Sequence, residues 1–167
     1  MGKKLVLSVL TTLFLIITTA APGLSYIGWE NCVWLSVNQN QEYHRMGYFH
    51  QDDILTKVFS EYKEGGKPSF DISLSNTIME FERHSGLYGE IGLNSRDGLN
   101  ILIGGGYTYI DQRADFFLTL GPKYYIQDEI LVVGVEVFYR ILPPFVINLG
   151  YDDYTEAIFV GLGLAYR

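Results

Sequence analysis

Along most of the chain, apolar positions recur with a period of two. At the C-terminus Ile158, Val160, Leu162, Leu164 and Tyr166 share one face, and Phe159, Gly161, Gly163 and Ala165 share the other. Phe145, Ile147, Leu149 and Tyr151 oppose Val146, Asn148, Gly150 and Asp152 in the same way. Leu131, Val133, Val135, Val137 and Tyr139 oppose Gly134, Glu136, Phe138 and Arg140. Extended backbone points successive side chains to opposite faces, so each segment reads as a strand with one greasy side. The pattern predicts eight strands, near 26–38, 69–81, 86–94, 98–110, 115–124, 129–141, 144–152 and 156–167. His84-Ser85-Gly86, Arg96-Asp97-Gly98, Gln127-Asp128 and Pro143-Pro144 supply turn chemistry between them.

The two rows differ in kind, and that decides which one faces inward. The weaker row holds Gly28, Gly92, Gly104, Gly106, Gly121, Gly134, Gly150, Gly161 and Gly163. It lacks the charge density that keeps a soluble sheet from aggregating. It suits the crowded interior of a small closed barrel, where minimal and bulky side chains share little volume. A strand crossing a bilayer needs about 9–11 residues at a tilt near 45°, and most of these segments reach that. Closure satisfies every backbone N–H and C=O without water. The fold class expected is therefore all-β: a closed antiparallel up-and-down transmembrane barrel with its apolar rows toward lipid. Tyr109, Tyr139, Phe145, Tyr151 and Tyr166 lie near strand ends on the apolar rows, where interfacial girdles belong.

One region breaks the alternation. In 39–68, Ile54, Leu55, Val58, Phe59 and Tyr62 fall on one helical face, Asp52 or Asp53 can cap the start, and Gly65-Gly66 can stop it. A long first loop carrying a short amphipathic helix is predicted. Its aromatics Tyr43, Tyr48, Phe49, Phe59 and Tyr62 are candidate binding anchors.

Composition adds location. Residues 1–25 join Lys3 and Lys4 to an apolar stretch ending at Pro22-Gly23, with Gly23 and Ser25 suited to cleavage before Tyr26. This is the pattern of a secretory signal peptide, leaving 26–167 as one barrel domain. The formal net charge of −7 argues against nucleic acid as a partner. The single cysteine, Cys32, excludes a disulfide framework.

From 26 to 167 the chain resembles the small eight-stranded outer-membrane barrels of diderm bacteria. The leader, the alternating rows and the ending Gly161-Leu-Gly-Leu-Ala-Tyr166 carry the resemblance. It departs from that family in closing on Arg167 rather than an aromatic. The resemblance implies a place in the outer membrane, contact with outer-membrane lipid, and insertion by the barrel-assembly machinery. It fixes no activity, since such barrels serve as enzymes, adhesins, anchors and pores.

Candidate chemistry is sparse. His84-Ser85 falls in a tight turn, and neighbours on extended backbone point apart, which suits neither a base nor a nucleophile. His50 with Asp52 and Asp53 reads as helix capping rather than a metal site. Gly104-Gly105-Gly106 precedes no helix and so is not a phosphate loop; it marks a bulge or a close strand contact. Neither a cofactor nor a metal is expected. The charges on the inward rows, Glu30, Asp71, Glu90, Lys123, Glu136 and Arg140, are expected to form an ion network that plugs the lumen. Lys123 would serve Glu136, and Glu30, Asp71 or Glu90 would serve Arg140. The function expected is non-enzymatic: surface binding or envelope integrity through the long loop, with a narrow porin-like pathway for small hydrophobic molecules as its second form. The alternative is a secreted or periplasmic lipocalin-like barrel with the apolar rows inside. A barrel enzyme ranks third.

Overall fold

The computed structural model describes residues 31–51, 54–82, 85–96, 98–111 and 116–166, without the side chains of Glu82 and Asp111. The predicted signal 1–25, Glu30, the Asp52-Asp53 cap, His84 and Arg167 lie outside the described residues.

The described residues form ten strands in one closed antiparallel barrel, each paired with its neighbours in chain order and the last paired with the first. They are β1 (Asn31–Asn38), β2 (Tyr43–Gln51), β3 (Leu55–Lys63), β4 (Ser69–Glu82), β5 (Ser85–Asn94), β6 (Asn100–Asp111), β7 (Phe116–Tyr125), β8 (Ile130–Leu142), β9 (Phe145–Asp152) and β10 (Ala157–Tyr166). The ladder closes where Asn31 pairs with Tyr166 and Val37 with Val160. The start of β1 and the end of β10 therefore share one end of the barrel, here the terminal end. At the opposite, distal end the turns 39–42, 64–68, 95–99, 126–129 and 153–156 each contain a residue with positive φ: Gln41, Gly65, Gly98, Glu129 and Glu156. That left-handed residue lets a short turn reverse the chain between twisted strands.

Eight strands coincide with the predicted ones. The correction lies in 39–68. Among its described residues no helix forms, and the segment supplies β2 and β3, so the described barrel has ten strands rather than eight and 39–68 is not a long loop. Arg45 pairs with Glu61 in the β2–β3 ladder, and Val58 pairs with Ile72 between β3 and β4. The apparent helical face splits: Leu55 and Phe59 turn inward, while Val58 and Tyr62 turn outward. Inward-facing aromatics fill the lumen here, so apolar residues occupy both faces and the period of two is hidden.

The side-chain rows are sorted by charge. Outside stand residues such as Val33, Leu35, Leu131, Val160, Leu162 and Leu164, all well exposed. Inside lie Cys32, Trp34, Phe49, Leu102, Phe138, Val146 and Phe159, with the buried polar residues Ser36, Asp71, Ser73, Glu90 and Asn148. Among the described side chains, every Asp, Glu, Lys and Arg within a strand lies on an inward row or at a rim, as Lys63 and Glu80 do. This is the reverse of a lipocalin-like arrangement, which needs its apolar rows inside.

Candidate functional site

The lumen is built in layers, because each strand contributes every second side chain to it. Toward the terminal end Trp34, Phe49, Phe117 and Phe138 form an aromatic plug. Phe138 meets Trp34 and Phe49 edge-on, with ring centroids 5.2 and 5.0 Å away, and stacks with Phe117 at 6.1 Å. Phe49 and Phe138 are wholly buried. Trp34 lies flat over Gly47 of the next strand, where any Cβ would occupy the space of the indole ring.

Above the plug run two ion pairs. Lys57 Nζ on β3 donates to Glu136 Oε2 on β8 at 2.7 Å, crossing the barrel. Lys123 Nζ on β7 lies 3.0 Å from Glu90 Oε2 on β5, passing over Gly104 of β6.

The distal layer is a four-residue cluster. Glu61 receives Arg45 Nε on one carboxylate oxygen at 2.6 Å and Arg96 Nη2 on the other at 2.5 Å. Asp152 pairs with Arg45 and lies 3.8 Å from Arg96. Arg45 stacks over the Phe159 ring at 3.5 Å, and Arg96 lies over Tyr154 at 4.3 Å. Arg96 comes from the β5–β6 turn, whose backbone is pinned by its own N–H donating to Asn94 Oδ1 at 2.8 Å. Burial alone would lower the Arg96 pKa, but the charges of Glu61 and Asp152 hold it above its ordinary value.

Two cavities lie along the lumen, and Lys57, Tyr88, Thr119, Lys123 and Glu136 border both. The smaller, about 20 Å³, lies against the plug residues Phe49, Phe117 and Phe138. The larger, about 60 Å³, reaches Arg45 and Asp152 on the distal side. Asp71 borders the larger one. Asn94 Nδ2 donates to its Oδ2 at 3.2 Å, while its Oδ1 meets no donor among the described residues.

Several expected partners are different. Glu136 is served by Lys57, not Lys123, and Glu90 belongs to Lys123 rather than Arg140. Arg140 lies on the inward row of β8, two residues beyond Phe138 toward the terminal end, away from both pairs. Lys57, Arg45 and Glu61 were left out of the expected network because they sat in the supposed loop, and Arg96 because it sat at a turn; Asp152 stood on the inward row at the end of its strand but was not counted among the lumenal charges. The candidate loop residues do not form one surface: Phe49 and Phe59 enter the lumen, while Tyr48 and Tyr62 face outward. Tyr43 stands at the distal rim, with Lys63 Nζ over its ring at 5.1 Å. Tyr48 and His50 both bond Asn31 Oδ1 on the outer face, at 2.7 and 3.0 Å. The glycines of β6 mark a close strand contact, since a Cβ on Gly106 would strike the backbone of Leu120 and Gly121. Cys32 is a buried free thiol. The described residues contain no cluster of three His, Cys, Asp or Glu able to hold a metal ion.

No family model and no curated protein matches the chain. Among solved structures the chain is similar to one described as "De novo design of transmembrane beta-barrels", at 16% identity and a TM-score of 0.34, covering 82% of this chain and 93% of that one.

Proposed function

We propose that this chain is a membrane-embedded barrel of the bacterial outer membrane, exported by its N-terminal signal and inserted by the barrel-assembly machinery. Its role is non-enzymatic: a closed wall element that contributes to envelope integrity. The carrying observation is the sorting of charge: among the described side chains, the Asp, Glu, Lys and Arg of the strands turn inward or to the rims while the outward rows are largely apolar. In water that arrangement would expose a continuous apolar belt, far beyond what soluble monomers tolerate. In lipid it is the stable one, because a charge on the lipid face costs about 2–4 kcal/mol near the midplane. Outward aromatics support the same reading: Phe81, Tyr139, Phe145 and Tyr166 near the terminal end, and Tyr62, Phe70, Tyr124 and Tyr151 near the distal end. Phe70 and Phe81 are eleven residues apart on β4, which at ~3.4 Å per residue and a ~45° tilt spans ~26 Å, close to an apolar band of ~25 Å. Surface binding through a long loop loses its carrier, since 39–68 is part of the wall.

A narrow pathway is the second reading, favoured by the two lumenal cavities on either side of the Lys57–Glu136 pair.

Fractionation with gel mobility before and after boiling tests the first reading. The protein is expected in the outer membrane, migrating as a compact species until heated. Recovery as a soluble periplasmic protein would overturn it.

A further inference from the structure

We propose that the larger lumenal cavity binds one small hard monocation, of the alkali or ammonium class, on the free oxygen of Asp71. The inference holds whichever medium surrounds the barrel, because it depends only on the interior.

Three observations carry it. Asp71 is 2% exposed, and its Oδ1, on a side chain bordering the cavity, meets no donor among the described residues. A buried carboxylate without a counter-ion is costly, so such a group is paired, binds an ion or takes up a proton, and the test below separates the last two. The second observation is a mismatch of charge. On the distal side of the aromatic plug, Arg45, Lys57, Arg96 and Lys123 face Glu61, Glu90, Glu136 and Asp152 in ion pairs, four cations against four carboxylates. Asp71 is the fifth carboxylate and has no cation partner within ion-pair distance among the described residues. Counting the described side chains that point into the lumen on this side, and not those at the rim, the interior is one positive charge short. Arg140 lies beyond Phe138 on the far side of the plug and does not supply it.

The third observation is space. The cavity measures about 60 Å³, and a water molecule needs about 10–15 Å³. A small cation with a few of its waters fits. A divalent ion is disfavoured, because no group of three acidic or imidazole ligands stands there among the described residues. The wall opposite Asp71 leaves the room: a Cβ built on Gly134 would come no closer than 3.8 Å to Lys123 Cε or to the Tyr151 carbonyl. The remaining anchor of Asp71 is Asn94, which also holds the turn that carries Arg96. Occupancy at Asp71 would thus couple to the distal ion cluster through one side chain.

The test uses full-length mature protein refolded in uncharged detergent, with folding checked by gel mobility. Urea unfolding is measured in sodium, potassium or ammonium chloride against N-methylglucamine chloride at matched ionic strength. At least one small cation should stabilise the wild type with saturation, raising the folded-to-unfolded ratio about a hundredfold at a hundred times its dissociation constant. Asp71→Asn should abolish that dependence. Gly134→Val, which fills the cavity from the other wall, should abolish it too and covers the case in which Asp71→Asn does not fold. Indifference of the wild type to cation identity would overturn the proposal. So would stabilisation by acid alone, which assigns the missing charge to a proton, or a saturable response that survives both substitutions.

Discussion

Glu90 and Lys123 join across an intervening strand because Gly104 lies between them. Glu90 pairs with Gly104 on one side, and Gly104 pairs with Lys123 on the other, so the three stand in one row across β5, β6 and β7. A Cβ at position 104 would stand 3.3 Å from both Glu90 Oε2 and Lys123 Cγ, and 3.2 Å from the Pro122 carbonyl. The glycine is the floor on which the ion pair rests.

Gly104→Val tests that relationship. The added methyls must displace the lysine stem or bend the strand, and overpacking of this kind costs about 1–3 kcal/mol. Equilibrium urea unfolding in micelles should show the loss. A Gly104→Val barrel as stable as wild type would mean that the pair re-forms by another route.

Val160→Arg tests which face meets lipid. Val160 is 51% exposed on β10, opposite Val37 and Leu149. In bilayers of matched thickness the substitution should cost about 2–4 kcal/mol if the site lies near the midplane. Spin labels sharpen the result: position 160 should contact lipid and position 148 should not. Lipid contact at 148 with none at 160 would reverse the rows.

The Lys57–Glu136 pair should be costly to break from one side only. Lys57→Met strands a carboxylate inside the barrel; removal of one partner of a buried pair costs about 3–5 kcal/mol, and this half-buried pair should fall below that, at about 1–3 kcal/mol. Lys57→Met with Glu136→Leu should recover most of that. A single substitution as harmless as the double would show that the pair carries no net energy.

Conductance should depend on the aromatic plug more than on the charges. Glu136→Gln alone should leave planar bilayers without large channels, since Trp34, Phe49, Phe117 and Phe138 still close the terminal end. Joint Trp34→Ala and Phe138→Ala should admit small ions. Large, stable channels from the wild-type protein would contradict a closed lumen.

Replacing 41–66 by a short turn should destroy the barrel. The segment supplies two of the ten strands, and its removal leaves the edges of β1 and β4 to find each other without the interior rows that carry Arg45, Lys57 and Glu61. Loss of the heat-modifiable species is expected. A fully folded eight-stranded product would show that β2 and β3 are an insertion.

Eight strands and their sidedness were readable from alternation, while the turn expected at His84-Ser85-Gly86 was misplaced, since Ser85 and Gly86 belong to β5. Val33, Leu35 and Val37 face outward and Ser36 and Asn38 inward as the pattern requires, because side-chain direction in a strand is a local property of the backbone. β2 and β3 were not readable. Lys57 and Glu61 alternate with Thr56, Val58, Ser60 and Tyr62, but Leu55 and Phe59 share the charged row, so neither row looks apolar. Those residues face inward for a reason that exists only across the barrel. Phe59 and Phe159 flank Arg45, and Lys57 meets Glu136 seventy-nine positions away. The sequence by itself determined the strand chemistry and which residues are ionisable. Strand number, the partner of each charge and the lack of an ion-pair partner for Asp71 among the described residues were decided by closure, which brings distant strands into one small volume where each side chain must find its place.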